Sequence, residues 1–176
     1  MMAMLEAAGI QSLTDYQREA DGDNPRGYFE FERVKKLKEG DTQWLELARG
    51  KTVKVISALL PYLPPEYQYK VLFMRRALPE VLASQRKMLI NRGEDPDQIS
   101  DEEMAQHFIR HLAQVEGWLE KQKNFSTLFV DYNLLIKDPK VQVHQINLFL
   151  GGSLDESSMI SVVDPDLYRQ RFSSGH

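Results

Sequence analysis

The stretch 69–89, YKVLFMRRALPEVLASQRKML, leaves few folds open to this chain. Residues 70–74 form a short apolar run rich in strand formers, cut off by the charged pair Arg75-Arg76. Pro79 then opens a helical pattern in which Val81, Leu82, Met88 and Leu89 recur at helix spacing. Proline suits a first turn because its missing N–H would have no intrahelical partner there. The spacing predicts a strand, a tight connection and a helix, with arginine at the strand's carboxyl end and Ser84 about one turn into the helix. In open α/β sheets ligands bind at those carboxyl ends. A helix N-terminus beside a guanidinium and a hydroxyl suits a phosphate. The plainer reading is a surface arginine that ends a strand and a serine that caps nothing.

A chain of 176 residues, 42% of them hydrophobic, is read as one domain with room for a core. We assign it residues 1–172 and treat 173–176, SSGH, as a tail or tag remnant. Net charge −4 and a pI near 5.6 argue against nucleic acid as partner, although clustered basic residues leave a small anion open. Without cysteine there are no disulfides, thiolate nucleophiles or cysteine-based zinc sites. No apolar run nears the roughly 18 residues of a membrane span. The opening MMAMLEAAGI is interrupted by Glu6 and lacks a basic leader, unlike a secretory signal. The expectation is a soluble, cytoplasmic protein with no membrane partner; an oligomer stays open.

Residues 1–8 read as a helix already under way, and 21–27, DGDNPRG, as turn chemistry. Residues 28–38 look amphipathic, with Phe29, Val34 and Leu37 inward. Residues 52–57, TVKVIS, are β-branched and predict a buried strand, followed by the proline-rich 60–68 as loop or very short helix. Ser100 and the acidic residues after it predict a capped helix to about Gln122, with Phe108, Leu112, Val115 and Leu119 on one stripe. A third strand at 126–131 and a last helix at 141–150, stopped by Gly151-Gly152, complete the pattern. Strands separated by helices predict a three-layer α/β/α domain with a parallel sheet.

His107 and His111 have metal-ligand spacing in HFIRH, but the residues between them offer no third ligand; ordinary histidines are the better reading, as for His144. Serine-hydrolase elbows, zinc-protease motifs and a glycine-rich phosphate loop are all missing. What converges, if the sheet is parallel, is Lys54 and Ser57 near the end of one strand, Arg76 at the next and Tyr132 after the third.

These residues resemble the sulfotransferases that use 3′-phosphoadenosine 5′-phosphosulfate. Their second nucleotide-binding segment is a strand ending in arginine, followed by an acidic residue and by serine eight positions after the arginine. Arg76-Ala77-Leu78-Pro79-Glu80-Val81-Leu82-Ala83-Ser84 keeps that pattern. Residues 130–139, VDYNLLIKDP, continuing to Phe149-Leu150-Gly151, are similar to the family's strand-Tyr-Glu-Asp-Leu-x-x-Asp-Pro segment. Residues 24–30, NPRGYFE, and 164–171, DPDLYRQR, resemble bacterial members. The resemblance implies a P-loop nucleoside triphosphate hydrolase-like architecture and sulfuryl transfer to a hydroxyl or amine of a small-molecule or peptide acceptor. It implies that Arg76 and Ser84 hold the 3′-phosphate, Tyr132 borders the adenine, Lys54 faces the sulfuryl group and Arg169 and Arg171 add phosphate contacts, with no metal required.

Two departures stand out. The 5′-phosphosulfate loop, Pro-Lys/Arg-Ser-Gly-Thr-like, and the first strand before it are absent from the chain as given, which removes an N–H cradle and implies little or no transfer. With that central strand missing, the strands at 52–57, 70–74 and 126–131 should flank a gap. Where cytosolic members carry a histidine two residues after the lysine, Ile56 stands here. Other branches use a glutamate, which makes Glu30 the candidate base and Glu32 its competitor. A non-catalytic remnant that binds a nucleotide or protein remains the alternative; a P-loop kinase relative would need the same missing loop.

Overall fold

The computed structural model describes residues 1–15, 17 and 27–164. Six α-helices occur among them: α1 (Met2–Ala7), α2 (Leu78–Asn91), α3 (Asp101–Leu119), α4 (Tyr132–Lys137), α5 (Pro139–Leu150) and α6 (Glu156–Ser161). Strands β1 (Tyr69–Arg75) and β2 (Phe125–Asp131) run parallel, in register from Tyr69 opposite Phe125 to Arg75 opposite Asp131. Both runs are apolar on both faces, as a parallel sheet covered on both sides requires.

Side chains alternate across a strand, and the two faces of this sheet feed separate cores. Tyr69, Val71 and Phe73 pack with Trp44, Leu45, Leu60 and Val115. Leu72, Met74, Leu128 and Val130 pack with Met4, Leu5, Val143 and Ile146. Three 3₁₀ helices, Glu32–Glu39, Gln43–Ala48 and Ser57–Tyr62, supply much of the first core together with α3. Helices α1, α4, α5 and α6 build the second.

The β1–α2 unit forms as the spacing predicts, with Pro79 in the first turn. The start of α3 is locked reciprocally: the Ser100 hydroxyl accepts from the Glu103 N–H, and the Glu103 carboxylate accepts from the Ser100 N–H. α5 begins at Pro139 and stops at Gly151, whose φ of 126° a side chain would resist.

Residues 52–57 do not form the expected strand. Thr52 makes one parallel bridge to Ser12, 53–56 carry no ladder, and Ser57 already opens a 3₁₀ helix. β-branched composition favours an extended chain, but a strand exists only where a partner meets its backbone groups. Ile56, expected inside, is 58% exposed. The expected gap does not fall between β1 and β2, which pair along their full length. A cleft of about 1520 Å³ is instead lined by β1, by residues 51–55, by residues 1–5 and by members of both cores. Among the described residues β1 has no second ladder partner.

Candidate functional site

The register of the sheet builds the site. Arg75 and Asp131 are opposite each other at the ends of β1 and β2, so Arg76 and Tyr132 leave the ladder side by side. The Arg76 guanidinium carbon sits 5.0 Å from the centre of the Tyr132 ring, within cation–π range. One turn into α2, Glu80 accepts from Arg76 Nε at 2.9 Å, and its other oxygen accepts from Asn133 Nδ2 at 2.8 Å. The Asn133 side-chain oxygen accepts in turn from the Ala77 N–H at 3.3 Å. Glu80 is a buried carboxylate, its side chain 2% exposed, and it is tolerable there because a cation and an amide meet it. The result is a guanidinium held in one orientation between an aromatic face and a carboxylate at the N-terminus of α2.

Arg75 is used differently. It grips Glu116 of α3, Nη2 to Oε2 at 2.7 Å, and lies 4.0 Å from the centre of the Phe129 ring. That arginine ties helix to sheet.

A second polar group lies along the cleft that Tyr132 also lines. Lys54 Nζ donates to the Tyr28 carbonyl at 3.2 Å and pairs with Glu30 at 3.6 Å; Lys35 approaches Glu30 from the other side at 3.8 Å. Phe29, between Tyr28 and Glu30, has φ 51°, a left-handed conformation that is strained for a bulky side chain. Lys54, Tyr28, Phe29, Ser57 and Tyr132 all line the cleft. Tyr69 lines it too, and burial pushes its phenol up to about 12, which keeps it neutral.

The structure brings Arg76 to Tyr132 and Lys54 to Glu30. Ser84 is exposed in α2, two turns beyond the start of the helix. Glu32 pairs with Lys35 at 2.6 Å and its N–H donates to Asp15. Arg169 and Arg171, the tail 173–176 and residues 24–26 lie outside the described residues. Among the described residues no group of three or more His, Asp or Glu is placed to hold a metal ion. His111 Nε2 meets Ser57 Oγ at 2.8 Å instead. No helix among the described residues is long and apolar enough to cross a membrane.

Sequence reasoning noted Glu80 only as an acidic position and gave Asn133 no role. The signal for the first was present, since arginine and glutamate stand four apart across the predicted start of the helix. Asn133 and the Ser57–His111 pair carry no such signal, because their partners are 53 and 54 residues away.

The chain is 27% identical over 111 residues to sulfotransferase 1C2 of Oryctolagus cuniculus, covering 57% of this chain and 38% of that protein. It thus spans well under half the length of the curated relative it matches. No solved structure matches. A family model described as the sulfotransferase domain matches residues 28–165, a span that contains β1, β2, Arg76, Tyr132, Lys54 and Glu30, and the chain therefore belongs to the sulfotransferase domain family.

Proposed function

We propose that this chain carries the 3′-phosphoadenosine side of a sulfotransferase site, within a three-layer, P-loop-like α/β/α frame. The observation that carries the reading is the fixed guanidinium of Arg76, set between Tyr132 and Glu80 at the carboxyl ends of two parallel strands. A guanidinium has five donors in a planar fork, and Glu80 engages the Nε one. A 3′-phosphate facing that fork and the N-terminus of α2 would meet matched charge and donors. The Tyr132 ring supplies an aromatic edge for adenine, and Ser84 a hydroxyl on the same helix. These residues fit the 3′-phosphoadenosine half of 3′-phosphoadenosine 5′-phosphosulfate. When bound, that nucleotide supplies an activated sulfuryl group.

In this scheme Lys54 faces the transferring group, and Glu30, 3.6 Å from it, is the candidate base for a hydroxyl or amine acceptor. Arg169 and Arg171 would add phosphate contacts. The chain's own contribution is positioning and charge stabilisation. A second reading, nucleotide binding without turnover, is favoured by Ile56, which cannot take a proton where cytosolic members have histidine.

Calorimetric titration with adenosine 3′,5′-bisphosphate and with AMP tests the reading. Tighter binding of the bisphosphate, lost in Arg76→Ala, supports it; equal affinity for both removes the 3′-phosphate assignment. Transfer of ³⁵S from labelled donor to 4-nitrophenol then separates enzyme from binding protein.

A further inference from the structure

We propose that Ser57 and His111 form a proton-accepting pair on the acceptor side of the cleft, receiving the proton that an attacking hydroxyl or amine gives up. The proposal rests on the sulfotransferase reading of the site. Ser57 Oγ and His111 Nε2 are 2.8 Å apart, a full hydrogen bond between two half-buried side chains. Ser57 lines the cleft, as Lys54 does three residues before it. The imidazole arrives from another element altogether. α3 is 19 residues long, capped at Ser100 and anchored to the sheet through Arg75 and Glu116, so it holds His111 against the 3₁₀ helix from a firm support.

A hydroxyl hydrogen-bonded to imidazole is the usual arrangement for moving a proton off an oxygen near neutral pH. Glu30 is already engaged from two sides, by Lys54 at 3.6 Å and Lys35 at 3.8 Å. Ile56, next to Ser57, has nothing to offer a proton. The charged or titratable groups on the elements packed against this part of α3 are Tyr62 in the 3₁₀ helix, Lys54 just before it, and Glu80, Arg86 and Lys87 on α2. None of them forms an ion pair with His111 among the described residues.

The step balances as follows. The acceptor oxygen or nitrogen forms a bond to sulfur while the sulfur–oxygen bond to the donor's phosphate breaks, its electron pair staying on the phosphate oxygen. The acceptor's proton moves to Ser57 Oγ as the Ser57 proton moves to His111 Nε2. The imidazolium then returns its proton to solvent.

The alternative is a purely structural bond that docks α3 on the 3₁₀ helix. Phenylmethanesulfonyl fluoride, a sulfur(VI) electrophile, distinguishes the two without donor or turnover. Labelling of Ser57, located by peptide mass spectrometry, should occur in the unaltered chain and fall at least tenfold in His111→Gln. Glutamine can keep the hydrogen bond but cannot take the proton, so an unchanged unfolding midpoint with lost labelling supports the pair. His107→Gln should label as the unaltered chain does. Equal labelling in His111→Gln, or none in the unaltered chain, overturns the proposal. Titration with adenosine 3′,5′-bisphosphate is run in parallel. Ser57 labelling without bisphosphate binding would remove the sulfotransferase reading and the acceptor role with it, whereas bisphosphate binding without labelling would remove the pair alone.

Discussion

Arg76 and Tyr132 are 56 positions apart in the chain, yet the guanidinium carbon of one lies 5.0 Å from the ring centre of the other. Parallel pairing in register makes this unavoidable, since each residue is the first to leave its strand at the same end of the sheet. Arg75, one position earlier, points to Glu116. Two adjacent arginines therefore do different work, and that difference is measurable.

Arg76→Ala should weaken adenosine 3′,5′-bisphosphate binding at least tenfold, and Arg75→Ala should change it little. Losing one partner of a charged hydrogen-bonded pair costs about 2–5 kcal/mol, and about 1.4 kcal/mol is tenfold. Isothermal calorimetry decides it. Equal losses in the two variants would sink the phosphate assignment.

Glu80 makes the same substitution costly for folding. Arg76→Ala leaves a buried carboxylate with Asn133 but without its cation, which should lower stability by about 3–5 kcal/mol. Arg76→Ala combined with Glu80→Gln should recover much of that stability while bisphosphate binding stays lost. Urea unfolding checks the first half of the statement. A double variant no more stable than Arg76→Ala would show that Glu80 does not depend on Arg76.

Glu30→Gln offers a test of the base. In a sulfotransferase preparation with measurable donor turnover, it should lower the rate at least tenfold if Glu30 takes the proton. If Ser57 and His111 take it, Glu30→Gln should have a modest effect through Lys54, and His111→Gln the large one. Steady-state rates for the two variants side by side rank the candidates.

Acid should weaken one surface cluster in a defined window. The carboxyl of Glu46 is pulled down from 4.5 to about 2, first by its hydrogen bonds from Arg49 and then by the one from Tyr67. A group whose folded value is depressed contributes stability above its unfolded value and loses it as pH falls through the folded one, here between about 4.5 and 2. The unfolding midpoint should decline across that window, and Glu46→Gln should flatten the decline. Because the pair is exposed, added salt should flatten it too. An unchanged slope in the variant would place this acid sensitivity elsewhere.

The sequence by itself determined the local elements whose signals are short-range. Pro79, the Ser100–Glu103 box and Gly151 punctuate helices through groups within a few residues, and the apolar runs at 70–74 and 126–131 are strands by composition. The order of Arg76, Glu80 and Ser84 was equally legible. Tertiary structure decided everything that needs a distant partner. The β-branched run 52–57 looked like a strand as convincingly as β1, but among the described residues only Thr52 makes a bridge, to Ser12, and the rest stays outside any ladder. Glu80 was an ordinary acidic position until the fold buried it against Arg76 and Asn133. His111 was read as an ordinary histidine, with no partner named, until α3 placed it on Ser57. Propensity acts over a turn or two of chain, whereas a hydrogen bond across 50 residues exists only once the sheet has set its register.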